Sequence, residues 1–315
     1  MQPDFIDGEY GQRLREIVGD EKIDEVLKSF ASPKTTAFRV NTIRGPVAPA
    51  IEAIEALGVK TTSVPWCEVA FTVSPEDRSI LTHSELAETG HIYVQGLSSI
   101  FATTVLGPEP DQWNLDLASA PGGKASHMAA LMQNRGTLSA VEPIKPRMYR
   151  LADNLKRLGV TIFRTYLMDG RKVGRKVPER FDCVMLDAPC SSDSRIRADD
   201  PDSWKFWSER KVREQARKQK GLIVSAFDSL KPGGTMLYCT CSFSPEENEA
   251  IVSHLIKKTD GAAKPLPIEM PFGNWQPGMK SFRGTDFDEA VEHSRRVLPT
   301  EQFDAFFMAK FQKPE

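Results

Sequence analysis

A run of small residues, Leu115-Asp116-Leu117-Ala118-Ser119-Ala120-Pro121-Gly122-Gly123-Lys124, could cradle a ligand. Small side chains and paired glycines let a backbone come close to a bound group at a helix N-terminus. The spacing is not that of a Walker phosphate loop, because Ala118 and Ala125 stand where Gly and Ser or Thr are required. Nor are there three spaced glycines of the dinucleotide type. Glu142 lies roughly 20 residues beyond the glycines, where an acid accepts from ribose hydroxyls. Asp169, in Met168-Asp169-Gly170, repeats the pattern of an acid at a strand end. Three acids (Asp116, Glu142, Asp169) facing one crevice repel a phosphate. They suit a ligand with a positive charge and a ribose, and S-adenosylmethionine has both.

Thiols follow two other apolar runs: Asp187-Ala188-Pro189-Cys190-Ser191 and Cys239-Thr240-Cys241-Ser242. A metal site is disfavoured, because no fourth ligand has metal-like spacing and no His is near. Burial as inert thiols is the reading for Cys183 and Cys239. The five cysteines are odd in number and scattered, which argues against a disulfide framework and for a reducing cytoplasm.

The elements that must position these residues follow from periodicity. From about residue 91 onward short apolar runs alternate with helical stretches. Strands are expected at 113–117, 137–141, 160–166, 181–186 and 235–239, with helices at 124–132, 147–158 and 212–230. This is the βαβ rhythm of a parallel sheet covered on both faces, which binds ligands beyond the carboxyl ends of its strands. Residues 296–299 and 303–311 read as two strands closing the sheet edge. Ahead of this, Glu9–Phe30 carries helical spacing, 37–43 alternates as a strand, a helix runs from Ala48 to Leu57, and short strands follow near 61–64 and 70–73. Pro75 to Gly90 is polar and reads as a connection. The chain divides into a small α/β domain over 1–90 and a larger α/β domain over 91–315.

The set Ala120-Pro121-Gly122-Gly123-Lys124, Asp187-Ala188-Pro189-Cys190-Ser191, and Thr240-Cys241-Ser242 with Pro245-Glu246-Glu247-Asn248-Glu249 resembles the Nop/Sun family of RNA 5-methylcytosine methyltransferases. Leu230-Lys231-Pro232-Gly233-Gly234 sits where that family turns before its catalytic strand, and the likeness spans roughly 36–311. The resemblance implies a Rossmann-like S-adenosylmethionine methyltransferase sheet behind a small RRM-like, RNA-binding α/β domain. It implies that Ala118, Ser119, Ala120, Pro121, Gly122, Gly123 and Lys124 hold the methionine end of the cofactor, Glu142 its ribose and Asp169 its adenine side. Asp187 would lie between cofactor and base, Cys241 would be the nucleophile, and Cys190 would assist product release. Two segments depart from the family pattern. Ser192 to Pro201 lacks the family's glycine and paired arginines, and Gly96 in Tyr93-Val94-Gln95-Gly96 stands where an acid is common.

The chemistry implied is covalent catalysis: a thiolate adds to carbon 6 of cytosine, which makes carbon 5 nucleophilic. A DNA-type cytosine methyltransferase would use Cys190 instead, a nicotinamide oxidoreductase fails on glycine spacing, and a non-catalytic RNA-binding protein would not need the full set. The net charge is −2, from 41 basic and 43 acidic residues, so RNA contact must rest on local patches. Lys205, Arg210, Lys211, Arg213, Arg217, Lys218 and Lys220 form one such patch, and Arg171, Lys172, Arg175 and Lys176 another. Trp204, Phe206 and Trp207 could stack on bases, but core packing is favoured. No role falls to the histidines. The expected partner is rRNA or tRNA, with no membrane and no metal, and the protein is expected to act as a monomer in the cytoplasm.

Overall fold

The computed structural model describes residues 8–315. Two helices open it, α1 (Glu9–Val18) and α2 (Ile23–Ala31). The sequence reads as one helical stretch here. It breaks because Gly19 adopts φ +86°, caps the carbonyl of Arg15 and turns the chain. The four-stranded sheet that follows runs β2–β3–β1–β4, antiparallel, from β1 (Thr36–Val40), β2 (Thr62–Val64), β3 (Cys67–Val73) and β4 (Ile92–Val94), with α3 (Val47–Glu55) packed against it. The fourth strand lies past residue 90, where the sequence reading closed this unit. Two short helical turns, Arg78–Thr82 and Glu85–Glu88, occupy the stretch read as a plain connection.

The larger sheet has nine strands. Its parallel half uses β5 (Trp113–Asp116), β6 (Thr137–Glu142), β7 (Phe163–Leu167), β8 (Phe181–Asp187) and β9 (Leu230–Thr240), in the order β9–β8–β5–β6–β7. Helices α4 (Leu97–Leu106), α5 (Gly123–Leu131), α6 (Lys145–Arg157), α7 (Glu209–Ser229) and α8 (Glu249–Lys258) complete this half. The sheet's other four strands are β10 (Lys264–Leu266), β11 (Trp275–Pro277), β14 (Arg295–Val297) and β15 (Phe306–Gln312), while β12 (Ser281–Phe282) and β13 (Thr285–Asp286) pair as a separate hairpin. Strand β15 runs antiparallel beside β9, β14 follows, and β11 forms the last rung. Of the two C-terminal strands expected at the sheet edge, β14 therefore lies one rung and β15 two rungs inside it.

Strand order reverses at β5, which pairs with β6 on one side and β8 on the other. The crevice above that point is where such sheets take ligands. Two cores cover the sheet faces, one containing Leu97, Ile100, Met128, Leu151 and Leu155, the other Ile223, Phe227, Ile251 and Leu255. A third has a consequence for the site. Tyr10, Leu14, Ile17, Ile23, Val26 and Phe30 of α1 and α2 pack on Ile196, Ala198, Trp204 and Phe243, not on the N-terminal sheet. Trp204 is buried and Trp207 packs edge-on to Tyr10, as core packing predicts, but Phe206 is 78% exposed. No helix among the described residues is long and apolar enough to cross a membrane.

Candidate active site

The glycine-rich turn, Glu142, Asp169, the Asp187–Ser191 loop and the Thr240–Ser242 turn each lie at the carboxyl end of a parallel strand, and the chain brings them to one crevice. The β5 end delivers the Ala118–Lys124 turn. Gly122 sits at φ +105°, a conformation that favours glycine, and a Cβ on Gly123 would meet the Tyr93 ring at 3.0 Å, so it would fit only if that ring shifted. Tyr93 comes from β4, so the N-terminal sheet is packed directly against this turn.

Two adjoining cavities occupy the crevice. The smaller, about 230 Å³, is lined by Tyr93, Gln95, Ser99, Asp116, Ser119, Gly123 and Lys124. The larger, about 640 Å³, is lined by Glu142, Asp169, Arg171, Gln215, Lys218, Cys190 and Cys241. Ala118, Ala120, Pro121, Asp187 and Arg195 border both. The three acids thus divide: Glu142 and Asp169 face the larger space and Asp116 the smaller one.

Asp116 is fully buried, and one of its oxygens, Oδ1, has no hydrogen-bond partner among the described residues. Burial pushes its carboxyl up to about 7. The Ser119 hydroxyl and the Ala118 amide lie beside this carboxyl and partly offset its burial, and Gln95 Nε2, on the same cavity, is likewise buried without a partner among the described residues. Buried polar atoms are almost always paired, so this cavity fits a polar ligand group that completes them. An amino acid tail, with its ammonium and carboxylate, has the complementary chemistry. Glu142 accepts from the Ile144 amide at 2.9 Å and has Arg147 at 3.6 Å. Asp169 accepts from the amide and guanidinium of Arg171, which holds its carboxyl below the usual range.

Lys124 donates to Asp187 at 2.6 Å and to Ser99 Oγ at 2.5 Å. Burial alone would lower its ammonium, but the Asp187 carboxylate outweighs that and raises it. Asp187 is therefore held at the junction of the two cavities by a cation from the glycine-rich turn. Cys239 is buried, 3.7 Å from Asp187, and Cys183 is buried near the start of β8.

Cys190 and Cys241 are 51 residues apart in sequence, yet their sulfurs lie 3.3 Å from each other. The contact follows from register, since β8 and β9 are parallel neighbours with Asp187 opposite Cys239. The hydrogen bond from Cys190 lowers the Cys241 thiol, and Arg195 lowers it further against the opposing effect of burial. The same hydrogen bond, together with burial, raises Cys190. Arg195 thus favours the thiolate at Cys241 over that at Cys190. Arg195, inside the loop that departs from the family pattern, received no role from sequence. Nothing local marks it, since only the fold of Asp193–Arg195 over the cavity brings it near the thiols. Among the described residues no group of three or more His, Cys, Asp or Glu could hold a metal ion.

Comparison with known proteins identifies the family of the chain. Residues 103–312 match the family of 16S rRNA methyltransferase RsmB/F, and residues 6–96 match the N-terminal domain of 16S rRNA methyltransferase RsmF. The chain belongs to the RsmB/F methyltransferase family. S-adenosylmethionine is the methyl donor of this family. A ribosomal RNA small subunit methyltransferase F of Vibrio campbellii is 40% identical over 76% of this chain and 51% of its own length. That of Erwinia tasmaniensis is 32% identical over 98% of this chain and 64% of its own. The chain thus spans about half to two thirds of the length of these relatives. A methyltransferase homologue from Pyrococcus horikoshii superimposes with a TM-score of 0.81 and 30% identity, covering 96% of this chain and 94% of that structure.

Proposed function

We propose that this chain is an S-adenosylmethionine-dependent RNA cytosine-5 methyltransferase that acts on small-subunit ribosomal RNA. The observation that carries the reading is the pair of sulfurs, 3.3 Å apart, on a cavity that also exposes Asp187 and adjoins an acid-lined pocket. The relatives' names support ribosomal RNA as the substrate class.

When bound, S-adenosylmethionine supplies an electrophilic methyl group on a sulfonium. Asp116, Ser119 and Gln95 would take its amino acid end in the smaller cavity, Glu142 its ribose, and Asp169 its adenine side. The Cys241 thiolate would add to carbon 6 of a cytosine drawn out of its stack. Asp187 would accept from the exocyclic amine or share a proton with ring nitrogen 3, offsetting charge as the sulfur adds. Carbon 5, now electron-rich, would take the methyl group from the sulfonium, which leaves as a neutral thioether. Cys190, as thiolate or through a water it positions, would accept the carbon 5 proton, and the ring would then expel the Cys241 thiolate. Arg195 would keep Cys241 ionised until the base arrives. Lys218 and Arg171 border the cavity, and the exposed Arg210, Arg213 and Arg217 lie on the same helix as Lys218, where phosphates would meet them.

RNA carrying 5-fluorocytosine blocks loss of the carbon 5 substituent and should trap the protein covalently. Cys241→Ala should abolish that adduct, and Cys190→Ala should retain it and accumulate adduct with natural RNA. If Cys190→Ala is the variant that loses it, the nucleophile is assigned to the wrong loop. Bisulfite sequencing of RNA treated with the protein identifies the modified base.

A further inference from the structure

One buried carboxylate beneath the thiols takes no part in the chemistry above. Glu247 lies on the turn between β9 and α8, fully inaccessible to solvent. Its Oε1 accepts from the Ser191 amide at 2.8 Å and from Gln219 Nε2 at 3.3 Å. Its Oε2 accepts from Ser191 Oγ at 2.5 Å and from Ser242 Oγ at 2.6 Å. Ser191 is the residue after Cys190, and Ser242 the residue after Cys241. No lysine or arginine makes an ion pair with Glu247 among the described residues, so hydrogen bonds alone offset the burial of its charge. That burial raises its carboxyl to about 7.

The strand ladder does not hold the thiol loops together by itself. Its last rung above the sheet is the Ala188 amide donating to the Cys239 carbonyl at 2.9 Å, and beyond it the chains diverge into separate loops. The next backbone link, Ser194 to Cys241, is long at 3.4 Å. Between these two, Ser191 Oγ lies 3.2 Å from Ser242 Oγ and both loops converge on the oxygens of Glu247; farther along, buried Asp193 accepts from the Phe243 amide at 2.8 Å and from Ser244 Oγ at 3.3 Å. Gln219 braces Glu247 from α7, donating also to the Pro189 carbonyl at 2.9 Å.

We infer that Glu247 is a positioning residue that clips the Cys190 loop to the Cys241 loop and so sets the distance between the two sulfurs. The inference rests on the proposed roles of those cysteines, but the clip is measurable without them.

Dibromobimane, which becomes fluorescent only after alkylating two neighbouring thiols, reports the sulfur pair directly, with peptide mapping to assign the linkage. In Glu247→Ala the rate of Cys190–Cys241 cross-linking should fall about tenfold. The rate of adduct formation with 5-fluorocytosine RNA should fall by about 10- to 100-fold, because misplacement on the scale of 1 Å costs that much, while RNA affinity stays within about twofold. Glu247→Gln keeps one acceptor oxygen and should lie between the alanine variant and the parent protein. A folded Glu247→Ala that cross-links and reacts at the parental rates overturns the inference. If Glu247→Ala does not fold, Ser242→Ala removes one arm of the clip and Ser191→Ala the hydroxyl bond of the other while the Ser191 amide bond stays, and parental rates in the double variant Ser191→Ala/Ser242→Ala overturn it equally. A parent protein that cross-links but never traps 5-fluorocytosine RNA instead defeats the proposed function and leaves the clip standing.

Discussion

Asp116 illustrates how a single residue can serve a ligand at a cost to the fold. It is buried, with its carboxyl raised to about 7 against an ordinary value near 4. A carboxyl raised in the folded state stabilises the fold at pH below its ordinary value. That contribution is lost as pH climbs through 7, since the unfolded chain then ionises freely and the folded one cannot. Asp116→Asn, which does not ionise, should therefore melt higher than the parent protein at pH 8. The difference, on the order of a few kcal/mol at most, should shrink toward pH 5. Thermal unfolding across that range checks the sign. The same variant should bind S-adenosylmethionine more weakly by calorimetry, because the anion that faces a cationic ligand is gone.

The strand–turn–helix unit of β5, Ala118–Lys124 and α5 is where an element rather than a residue decides binding. Gly122 occupies the left-handed region at φ +105°, and a Cβ there would meet Leu151 of α6 at 3.0 Å. Gly122→Ala should cost roughly 1–2 kcal/mol from backbone strain, read as a lower urea midpoint with unchanged slope. Cofactor affinity should fall as well, because the turn forms part of the pocket wall. Gly96 belongs to the same level. It opens α4 where the family commonly has an acid, and the neighbouring Gln95 takes up buried Arg39 at 2.9 Å while Arg39 also reaches Ser126 at 2.5 Å. The cofactor turn is thus supported from the N-terminal sheet by neutral partners and an arginine whose pKa burial lowers to about 10.

Across the whole molecule, distant segments converge on the Cys241 turn. Arg296 of β14 meets Glu249 of α8 with two hydrogen bonds, at 2.6 and 2.5 Å, and donates to the Phe243 carbonyl at 2.8 Å. Arg13 of α1 reaches Glu246 at 2.5 Å from the other end of the chain. Removing one member of a buried ion pair strands the other. Arg296→Ala should therefore cost about 3–5 kcal/mol by denaturant unfolding. Arg296→Met combined with Glu249→Leu should recover much of it. A loss below about 1 kcal/mol for Arg296→Ala, the range of an exposed pair, would show that the pair is not the anchor described here.

Periodicity and small-residue turns were enough to read the alternation of strand and helix in residues 113–240, the acids at its strand ends, and the thiols that follow β8 and β9. These signals are local, set by hydrophobic repeats and turn chemistry over a few residues, so they survive in a bare sequence. Other features were not legible. The 3.3 Å approach of Cys190 to Cys241, the presence of Arg195 beside them, the hydrogen bonds that Glu247 accepts, and the packing of α1 and α2 on the Pro-Cys-Ser loop all join residues far apart in the chain. Such contacts depend on strand order, register and loop direction, which side-chain periodicity does not encode. They arise only when the parallel strands are laid side by side and their loops turn over the same crevice.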